Sequence, residues 1–267
     1  MQKNALLASD MDGTVIPLEE GKERDEEIRR FRQLMEENSQ VALAYVTGRH
    51  LELGMAGVEK HRLPFPDIFV CDVGTTIYFH NHKNWQHDEG YREELTKSWS
   101  RHTGPDIASF LEGINGLETQ EAEKQGEFNL GRGHDAEAVL QSIRNRLTGR
   151  GLTANIIYSV DSLKDIGLVD VLPPVAAKDY ALAYLQKKLG LEQERVVYAG
   201  DSGNDLLAFV SGFNAIIVNN TAEPVKEEVR RQARVKGIEA QIFFASARFV
   251  QGVMEGCFHF NLFGKAG

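Results

Sequence analysis

The chain has 267 residues, of which 42% are hydrophobic and 26% are charged, and its formal net charge at pH 7 is −9. This composition is ordinary for a globular protein, and the length suits one large α/β domain or a domain that carries a sizeable insertion. The acidic balance argues against nucleic-acid binding and against attachment to an anionic membrane, since both need clustered lysine and arginine. We therefore expect neither nucleic acid nor a membrane as a partner.

The cellular location is predicted from three features. No apolar run approaches the ~18–20 residues that span a bilayer. The segment Met1–Asn4 leads directly into a strand-like stretch, so no signal peptide is visible. Only two cysteines occur, Cys71 and Cys257, both in apolar surroundings. A disulfide framework is excluded, and we expect a reducing, cytoplasmic location.

Short apolar runs, bounded by turn-forming or charged residues, recur along the chain. They do not alternate apolar with polar residues, which is typical of strands covered on both faces in a parallel sheet. The predicted strands are Ala5–Ala8, Val41–Val46, Ile68–Cys71, Val196–Ala199, Ala215–Val218 and Ile242–Ala245. Helical patterns with one apolar face lie between several of them, for example over Ile28–Met35 and Leu182–Leu189. Strands that alternate with helices predict a doubly wound, Rossmann-like parallel-sheet α/β core.

The middle of the chain has a different pattern, in which helices and strands do not alternate regularly. Its predicted elements are helices over Tyr91–Arg101 and Asp135–Leu147 and strands that include Thr76–His80 and Asn155–Tyr158. This pattern indicates an α+β insertion between two halves of the core. We therefore predict a core formed by residues 1–81 and 171–267, and an inserted domain over residues 82–170.

The first predicted strand ends in Asp10-Met11-Asp12-Gly13-Thr14. Two carboxylates two residues apart at the end of a parallel strand lie where α/β proteins place their ligands. One can act as a nucleophile while its neighbour acts as acid and base, and Gly13 allows the chain to turn sharply. Taken alone, the pattern also fits a solvated turn or a calcium-type loop.

Three further polar sites lie at the ends of predicted elements. Thr47-Gly48-Arg49 follows a buried strand, although Thr47 could equally cap a helix. Lys178 opens an amphipathic helix, where a lysine opposes the helix dipole and so indicates an anion site, with a solvated lysine as the alternative. Gly200–Asp205 follows another buried strand, and two acidic residues in a glycine-rich loop suit a hard divalent cation with oxygen ligands.

Together these four motifs resemble those of the haloacid dehalogenase superfamily of aspartate-nucleophile phosphohydrolases. The matching residues, in motif order, are Asp10 and Asp12, then Thr47, then Lys178, then Asp201 with Asp205. The predicted insertion lies between the second and third motifs, which matches the position of the superfamily's type-2 (C2B) cap. Within that group the chain is most similar to the sucrose-phosphate phosphatase branch, on the phrases Ala44–Arg49, Gly200–Asp205 and His259–Leu262.

This resemblance implies a phosphatase that hydrolyses a sugar phosphate monoester through an aspartyl-phosphate, with a disaccharide phosphate of the sucrose 6-phosphate kind as substrate. Other type-2 capped phosphatases act on mannosyl-phosphoglycerate, trehalose phosphate or hexose phosphates, and these remain alternatives, as does a phosphotransferase. A catalytically silent phosphosugar-binding protein is a further alternative. Asp10 and Asp12 argue against it, because a sensor needs a phosphate cradle but no acid or base.

The resemblance also implies roles for individual residues. Asp10 would attack phosphorus, and Asp12 would give a proton to the leaving oxygen and later take one from water. Thr47 and Lys178 would bind the transferring oxygens. The implied cofactor is Mg²⁺, held by the Asp10 carboxylate, the Asp12 backbone carbonyl and the Asp201 carboxylate. The implied supporting residues around the phosphate and the metal-bound water are Gly48, Asn204 and Asp205.

The substrate contacts are expected from the inserted domain, which would close over the sugar and exclude water. Sugars need several hydrogen-bonding side chains, and the cap, its hinge and the rim of the core supply such groups. The predicted sugar contacts are Arg49, Asn129, Arg132, Asp161 and Lys164. We therefore expect a small-molecule sugar phosphate as partner; a monomer is compatible with the sequence, which does not define the oligomeric state.

Overall fold

The computed structural model describes residues 3–17, 24–119, 127–130, 135–161 and 166–264. The chain divides into two compact units: Met1–Asp88 with Ala177–Gly267, and Glu89–Ala176. The strands, in chain order, are β1 (Ala5–Ser9), β2 (Val41–Val46), β3 (Ile68–Cys71), β4 (Thr76–His80), β5 (Trp85–His87), β6 (Leu117–Thr119), β7 (Glu127–Leu130), β8 (Asn155–Asp161), β9 (Ile166–Leu172), β10 (Val196–Gly200), β11 (Asn214–Ile217) and β12 (Ile242–Phe244). The helices are α1 (Arg24–Glu37), α2 (Leu51–Lys60), α3 (Glu89–Ser98), α4 (Gly104–Leu111), α5 (Ala136–Thr148), α6 (Lys178–Leu189), α7 (Leu206–Phe209), α8 (Glu223–Lys236) and α9 (Phe249–His259).

The first unit is built on an eight-stranded sheet with the strand order β12-β11-β10-β1-β2-β3-β4-β5. The six strands from β12 to β3 are parallel, and β4 and β5 add an antiparallel hairpin at one edge. Strands β1, β2, β3 and β10 are buried along their whole length, as their uninterrupted apolar runs predict. The predicted α/β fold class is confirmed.

The core of this unit forms where apolar side chains of the sheet meet those of the surrounding helices. The same buried cluster contains Leu7 and Tyr45 from the sheet, Phe31 from α1 and Val253 from α9. Burial of each such side chain contributes about 1.5–3 kcal/mol relative to an exposed position. This packing fixes the sheet, and the sheet in turn fixes the strand ends.

The strand order reverses at β1, which lies between β2 and β10. In open α/β sheets, ligands bind beyond the carboxyl ends of the strands at such a switch point. The segments that follow β1, β2 and β10 therefore meet at one place, although they are far apart in the sequence.

The division into units differs from the boundaries expected from the sequence at residues 82 and 170. Strand β5 pairs with β4 in the larger sheet, where Trp85 packs edge-on against Phe69 with ring centroids 5.1 Å apart. A three-residue, partly exposed strand gives almost no periodic signal, so packing determines its place. At the other boundary, β9 extends to Leu172 and pairs within the smaller sheet. The second unit therefore continues beyond residue 170.

The second unit, Glu89–Ala176, contains a four-stranded antiparallel sheet with the order β6-β7-β9-β8. Its core includes Trp99, Ile107, Ile143 and Val169. Helix α5 begins one residue later than predicted, because the Asp135 carboxylate accepts a hydrogen bond from the backbone N–H of residue 137 and caps the helix. Helices α3, α4 and α5 and antiparallel strands give this unit the α+β character that the sequence indicates.

Among the helices in the described part of the chain, none is both long enough and apolar enough to cross a bilayer.

Candidate active site

Carboxylates from two neighbouring strand ends converge at the switch point. Asp10 follows β1, and Asp201 and Asp205 lie in the turn after β10. One carboxylate oxygen from each of the three residues lies within 4.8 Å of the others. Adjacent parallel strands explain this arrangement, because the pairing of β1 with β10 brings their carboxyl ends side by side.

A buried lysine links these carboxylates. The Nζ atom of Lys178 lies 2.7 Å from Oδ1 of Asp10 and 2.6 Å from Oδ1 of Asp205. Lys178 and Asp10 are only 6% and 8% exposed, and Asp205 is fully buried. Charges so far from water are tolerated only when they are paired and hydrogen-bonded. Lys178, the first residue of α6, therefore holds the strand ends of β1 and β10 together.

Burial and mutual charge shift the pKa values of this cluster. Burial raises the pKa of Asp10 to about 7, against the opposing effect of Lys178 and with a further contribution from Asp205. Burial alone would lower the pKa of Lys178, but the two carboxylates outweigh it and raise that pKa. Burial, aided by the charge of Asp205, raises the pKa of Asp201 to about 6. An additional cation beside Asp10 and Asp201 would stabilise their ionised forms.

Asp205 is surrounded by hydrogen-bond donors on both carboxylate oxygens. Oδ1 accepts from Lys178 at 2.6 Å and from the hydroxyl of Tyr198 at 2.5 Å. Oδ2 accepts from the backbone N–H groups of Asp201 and Ser202 and from the Ser202 hydroxyl, at 3.0–3.1 Å. Although burial would raise the pKa of Asp205, Lys178 and these hydrogen bonds lower it. Asp205 therefore shapes the turn and orients Lys178, which leaves Asp10 and Asp201 better placed to bind a cation.

The turn after β1 fits against the turn after β10. Gly13 has a φ of +81°, and a Cβ atom at this position would collide with the Asp201 carboxylate. The neighbouring hydroxyl of Thr14 donates a hydrogen bond to Asp201 Oδ1 at 3.1 Å. Only glycine satisfies both the backbone conformation and the close approach, so the residue expected to permit a turn also makes room for a carboxylate.

Asp12 has a different partner from Asp10. The guanidinium of Arg49 donates from Nε to Asp12 Oδ2 at 2.8 Å and from Nη2 to Oδ1 at 2.6 Å. The two side chains are 30% and 44% exposed, respectively, so this bidentate pair borders water. Arg49 is predicted from the sequence as a sugar contact, whereas the structure places its guanidinium on the carboxylate of Asp12.

Thr47 occupies the turn at the end of β2 and is buried. Its backbone N–H donates to the carbonyl of Val70 at 2.8 Å, and its carbonyl accepts from the backbone N–H of Val73 at 3.2 Å. Its hydroxyl oxygen accepts from the N–H of Arg49 at 3.1 Å. Helix α2 is capped by His50 and not by Thr47, so the capping alternative is wrong.

The turn after β3 connects Thr47 with the start of α6. Asp72, Val73 and Gly74 all have left-handed φ angles, of 52°, 57° and 96°, and this conformation is strained for a β-branched residue such as Val73. A Cβ atom on Gly74 would lie 2.8 Å from the carbonyl carbon of residue 177 and 3.1 Å from the N atom of Lys178. The strained turn is thus in direct contact with the backbone that carries the buried lysine.

The remaining predicted site residues have no side-chain contact with this cluster among the contacts described above. Gly48 and Asn204 are exposed, in the turns after β2 and β10. Asn129 and Asp161 belong to β7 and β8 of the second unit. Arg132 and Lys164 lie outside the described residues.

Three residues that support the site were not predicted from the sequence. Tyr198 and Ser202 donate to Asp205, as described above. Asn220 donates from Nδ2 to the carbonyl of Gly13 at 2.7 Å and accepts from the N–H of Phe249 at 2.9 Å. Asn219 and Asn220 directly follow an apolar stretch, residues 215–218, that includes the end of β11. Polar residues directly after a buried strand are the sequence signal by which Asn220 could have been found.

The donor set fits a hard divalent cation. Asp10 and Asp201 offer carboxylate oxygens, which Mg²⁺ prefers to nitrogen or sulfur ligands. Burial, together with the charge of Asp205, raises the pKa of both residues, and a cation beside them would offset this effect. The fold and the position of the carboxylates at the strand ends match the arrangement that the resemblance to the haloacid dehalogenase superfamily implies.

Comparison with known proteins gives the same class. The sucrose-6F-phosphate phosphohydrolase family matches residues 3–261. A putative HAD-like hydrolase from Nitrosococcus oceani is 34% identical over 272 residues, covering 97% of this chain and 72% of that protein. The mannosylfructose-phosphate phosphatase of Agrobacterium fabrum is 29% identical, covering 98% of this chain and 99% of that protein.

A solved structure matches the fold. The sucrose-phosphatase from Synechocystis sp. PCC6803, in complex with sucrose and phosphate, has a TM-score of 0.74 at 22% identity, covering 97% of this chain and 98% of that chain. The chain belongs to the sucrose-6F-phosphate phosphohydrolase family. It is therefore a phosphatase of the haloacid dehalogenase superfamily, as the resemblance of its four motifs indicates.

Proposed function

We propose that this phosphatase hydrolyses a disaccharide phosphate of the sucrose 6-phosphate kind through an aspartyl-phosphate intermediate. One observation carries the mechanism: Asp10, at the carboxyl end of β1, is buried and contacts Nζ of Lys178 at 2.7 Å. A carboxylate that is fixed beside a buried cation is suited to attack a phosphate group, because the cation also attracts the phosphate oxygens.

In the first step, a carboxylate oxygen of Asp10 forms a bond to phosphorus while the bond between phosphorus and the sugar oxygen breaks. Asp12, in its protonated form, gives its proton to the departing oxygen, so that the sugar leaves as an alcohol. Lys178 and Thr47 stabilise the charge on the transferring oxygens. The product of this step is an aspartyl-phosphate on Asp10.

In the second step, a water oxygen attacks the phosphorus of the aspartyl-phosphate. The Asp12 carboxylate takes a proton from this water, and the bond between phosphorus and Asp10 breaks. Inorganic phosphate leaves and the Asp10 carboxylate is restored. Asp12 is again protonated, so the two steps return both residues to their starting states.

Asp10 and Asp201 are the carboxylates that would hold Mg²⁺, together with the backbone carbonyl of Asp12 as the motif implies. When bound, Mg²⁺ would reduce the repulsion between the Asp10 carboxylate and the phosphate dianion. The support for this assignment is the cluster of carboxylate oxygens within 4.8 Å of one another. We expect EDTA to abolish turnover and added Mg²⁺ to restore it; activity that persists in EDTA would exclude this cofactor.

The family description supports sucrose 6-phosphate as the substrate. A second candidate is mannosylfructose phosphate, because a mannosylfructose-phosphate phosphatase aligns over 98% of this chain and 99% of its own length. Both are disaccharide phosphates, so this assignment concerns the choice of sugar and leaves the phosphoryl chemistry unchanged.

Steady-state kinetics test the substrate. The panel contains sucrose 6-phosphate, mannosylfructose phosphate, trehalose 6-phosphate, glucose 6-phosphate and p-nitrophenyl phosphate. We expect the highest kcat/KM for sucrose 6-phosphate. Equal values for sucrose 6-phosphate and glucose 6-phosphate would reject the disaccharide assignment, and a higher value for mannosylfructose phosphate would select the second candidate.

A further inference from the structure

Arg49 and Asp12 form a bidentate ion pair, which fixes both the position and the orientation of the carboxylate. Two nitrogen atoms of one planar guanidinium contact the two oxygens of one carboxylate, at 2.8 and 2.6 Å. Such a bidentate contact defines the orientation of the carboxylate plane as well as its position. A single ammonium group in the same place would fix the distance only.

Arg49 is itself held in place by helix α2 and by the turns that follow β2 and β3. Its Nη1 atom donates to the carbonyl of Leu53, in the first turn of α2, at 3.2 Å. The backbone N–H of Arg49 donates to the hydroxyl oxygen of Thr47 at 3.1 Å, and its carbonyl accepts from the N–H of Asp72 at 3.2 Å. The orientation of Asp12 is therefore connected to the turn that follows β2.

Helix α2 has a glycine where the guanidinium passes. A Cβ atom on Gly57 would lie 2.7 Å from Nη1 of Arg49, and also 3.2 Å from Ile16 and 3.3 Å from Met11. Glycine is a poor helix former compared with alanine, so local helix stability does not explain this residue. The missing side chain leaves the space that the guanidinium occupies when it contacts Asp12.

We infer that Arg49 is a positioning residue that orients the Asp12 carboxylate for proton transfer, and that Gly57 provides the space for this contact. The inference rests on the proposed function, in which Asp12 protonates the leaving oxygen. Arg49 then contributes to the step that needs a proton and has little effect on binding of the sugar. This role differs from the sugar contact that the sequence analysis assigns to Arg49.

The test compares two substrates with different leaving groups. A sugar phosphate releases a strongly basic alkoxide unless a proton is supplied, whereas p-nitrophenyl phosphate releases a weakly basic nitrophenolate that needs none. The value of kcat/KM reports the steps up to departure of the first product. The ratio of kcat/KM for sucrose 6-phosphate to that for p-nitrophenyl phosphate therefore measures proton donation. If the enzyme does not hydrolyse sucrose 6-phosphate, the sugar phosphate of the panel with the highest kcat/KM takes its place in this ratio.

Three variants are expected to lower this ratio. Asp12→Asn removes the proton donor and sets the maximum loss, ~10²–10⁴-fold on the sugar phosphate. Arg49→Lys keeps the charge but loses the bidentate geometry, and Gly57→Ala keeps Arg49 but displaces its guanidinium. For both we expect a loss of about tenfold or more on the sugar phosphate, below that of Asp12→Asn, with kcat/KM for p-nitrophenyl phosphate close to that of the unmodified enzyme.

A matched control exists on α8. Arg231 donates from Nε and Nη2 to the two carboxylate oxygens of Glu228, at 2.7 and 2.6 Å, which is the same geometry at an exposed position. Arg231→Lys should leave both substrates unaffected. The double variant Asp12→Asn with Arg49→Lys should be no slower than Asp12→Asn alone, because a positioning residue has no effect once its target is lost.

Several outcomes would overturn the inference. An increase in KM for the sugar phosphate at unchanged kcat in Arg49→Lys would make Arg49 a substrate contact. Equal losses on both substrates would indicate a general structural role, and additive effects in the double variant would separate Arg49 from Asp12. If Asp12→Asn leaves the substrate ratio unchanged, the proposed function fails. If Asp12→Asn lowers the ratio but Arg49→Lys and Gly57→Ala leave it unchanged, only the positioning role of Arg49 fails.

Discussion

Asp10 and Asp12 are two residues apart on one strand end, yet their surroundings contrast. The Asp10 side chain is 11% exposed and contacts a buried ammonium group, whereas the Asp12 side chain is 44% exposed and contacts a guanidinium that borders water. A buried ion pair is costly to break, while a pair near water is weaker and can separate more easily. A strand end can thus carry one carboxylate that is held by a buried ammonium group and another that is held by a guanidinium at the border of the solvent.

The largest expected effect concerns the buried carboxylate. We expect Asp10→Asn to remove essentially all turnover, because an amide cannot form the aspartyl-phosphate. The substitution preserves shape, so circular dichroism and thermal unfolding should show a folded protein. Asp25→Asn, at an exposed position in the first turn of α1, is the matched control and should retain full activity. Wild-type turnover in Asp10→Asn would contradict the covalent mechanism.

The half-exposed carboxylate should be less critical. We expect Asp12→Asn to lower kcat for a sugar phosphate by ~10²–10⁴-fold, the usual contribution of general acid catalysis. The residual activity should exceed that of Asp10→Asn, because nucleophilic attack remains possible. Single-turnover measurements on Asp12→Asn, with p-nitrophenyl phosphate that carries a radiolabel on its phosphate group, should detect a phosphorylated enzyme. If both variants were equally inactive on every substrate, the contrast between the two carboxylates would have no functional meaning.

Removal of the buried ammonium group of Lys178 tests how much its ion pairs contribute to the free energy of unfolding. Lys178→Met leaves Asp10 and Asp205 buried without their shared partner, and loss of one member of a buried pair costs about 3–5 kcal/mol. We expect a free energy of unfolding that is lower by this order in urea denaturation. The control is Lys187→Met, on the exposed side of the same helix, for which little change is expected. Equal stability of both variants would show that the buried pair contributes nothing.

The smallest effect is expected at the support of the turn after β1. Asn220→Ala removes the donor to the Gly13 carbonyl and the acceptor for Phe249, and unpaired polar groups cost about 1–3 kcal/mol when buried. Since Asn220 is only partly buried, the loss of unfolding free energy should lie near the lower end, and kcat should fall by up to about tenfold, which equals about 1.4 kcal/mol. Asn219→Ala, at an exposed position, should match the unmodified enzyme in both measurements.

The fold was largely predictable because its signals are local. Uninterrupted apolar runs predicted the parallel strands, and polar residues that follow those runs predicted which strand ends bring carboxylates together. The structure brings Asp10, Asp201 and Asp205 together for a geometric reason that the sequence already contains: parallel strands end at the same edge. Lys178 contacts Asp10 and Asp205 from the start of α6. Strand β5 escaped prediction, because three partly exposed residues have no clear period and packing decides their place.

The sequence does not show which side chains contact each other at the site. The motifs place Arg49 near the site, but the direction of its side chain depends on the space beside Gly57 in another element. Asn220 lies more than 200 residues from the turn that it supports, and only the fold connects them. Sequence patterns thus located the carboxylates at the strand ends, whereas the contacts that distinguish Asp10 from Asp12 depend on the fold.

The left-handed turn after β3 has a consequence for the evolution of heat resistance. Non-glycine residues in this conformation cost of order 1–3 kcal/mol each, and Asp72 and Val73 both adopt it. Selection for thermal stability alone would favour glycine at Val73, where the strain would disappear. The same turn contacts the backbone of Thr47 and of Lys178, so a more flexible chain would hold these two residues less firmly. In the proposed mechanism both residues bind the phosphate, so stability and catalytic precision would be in opposition at this turn.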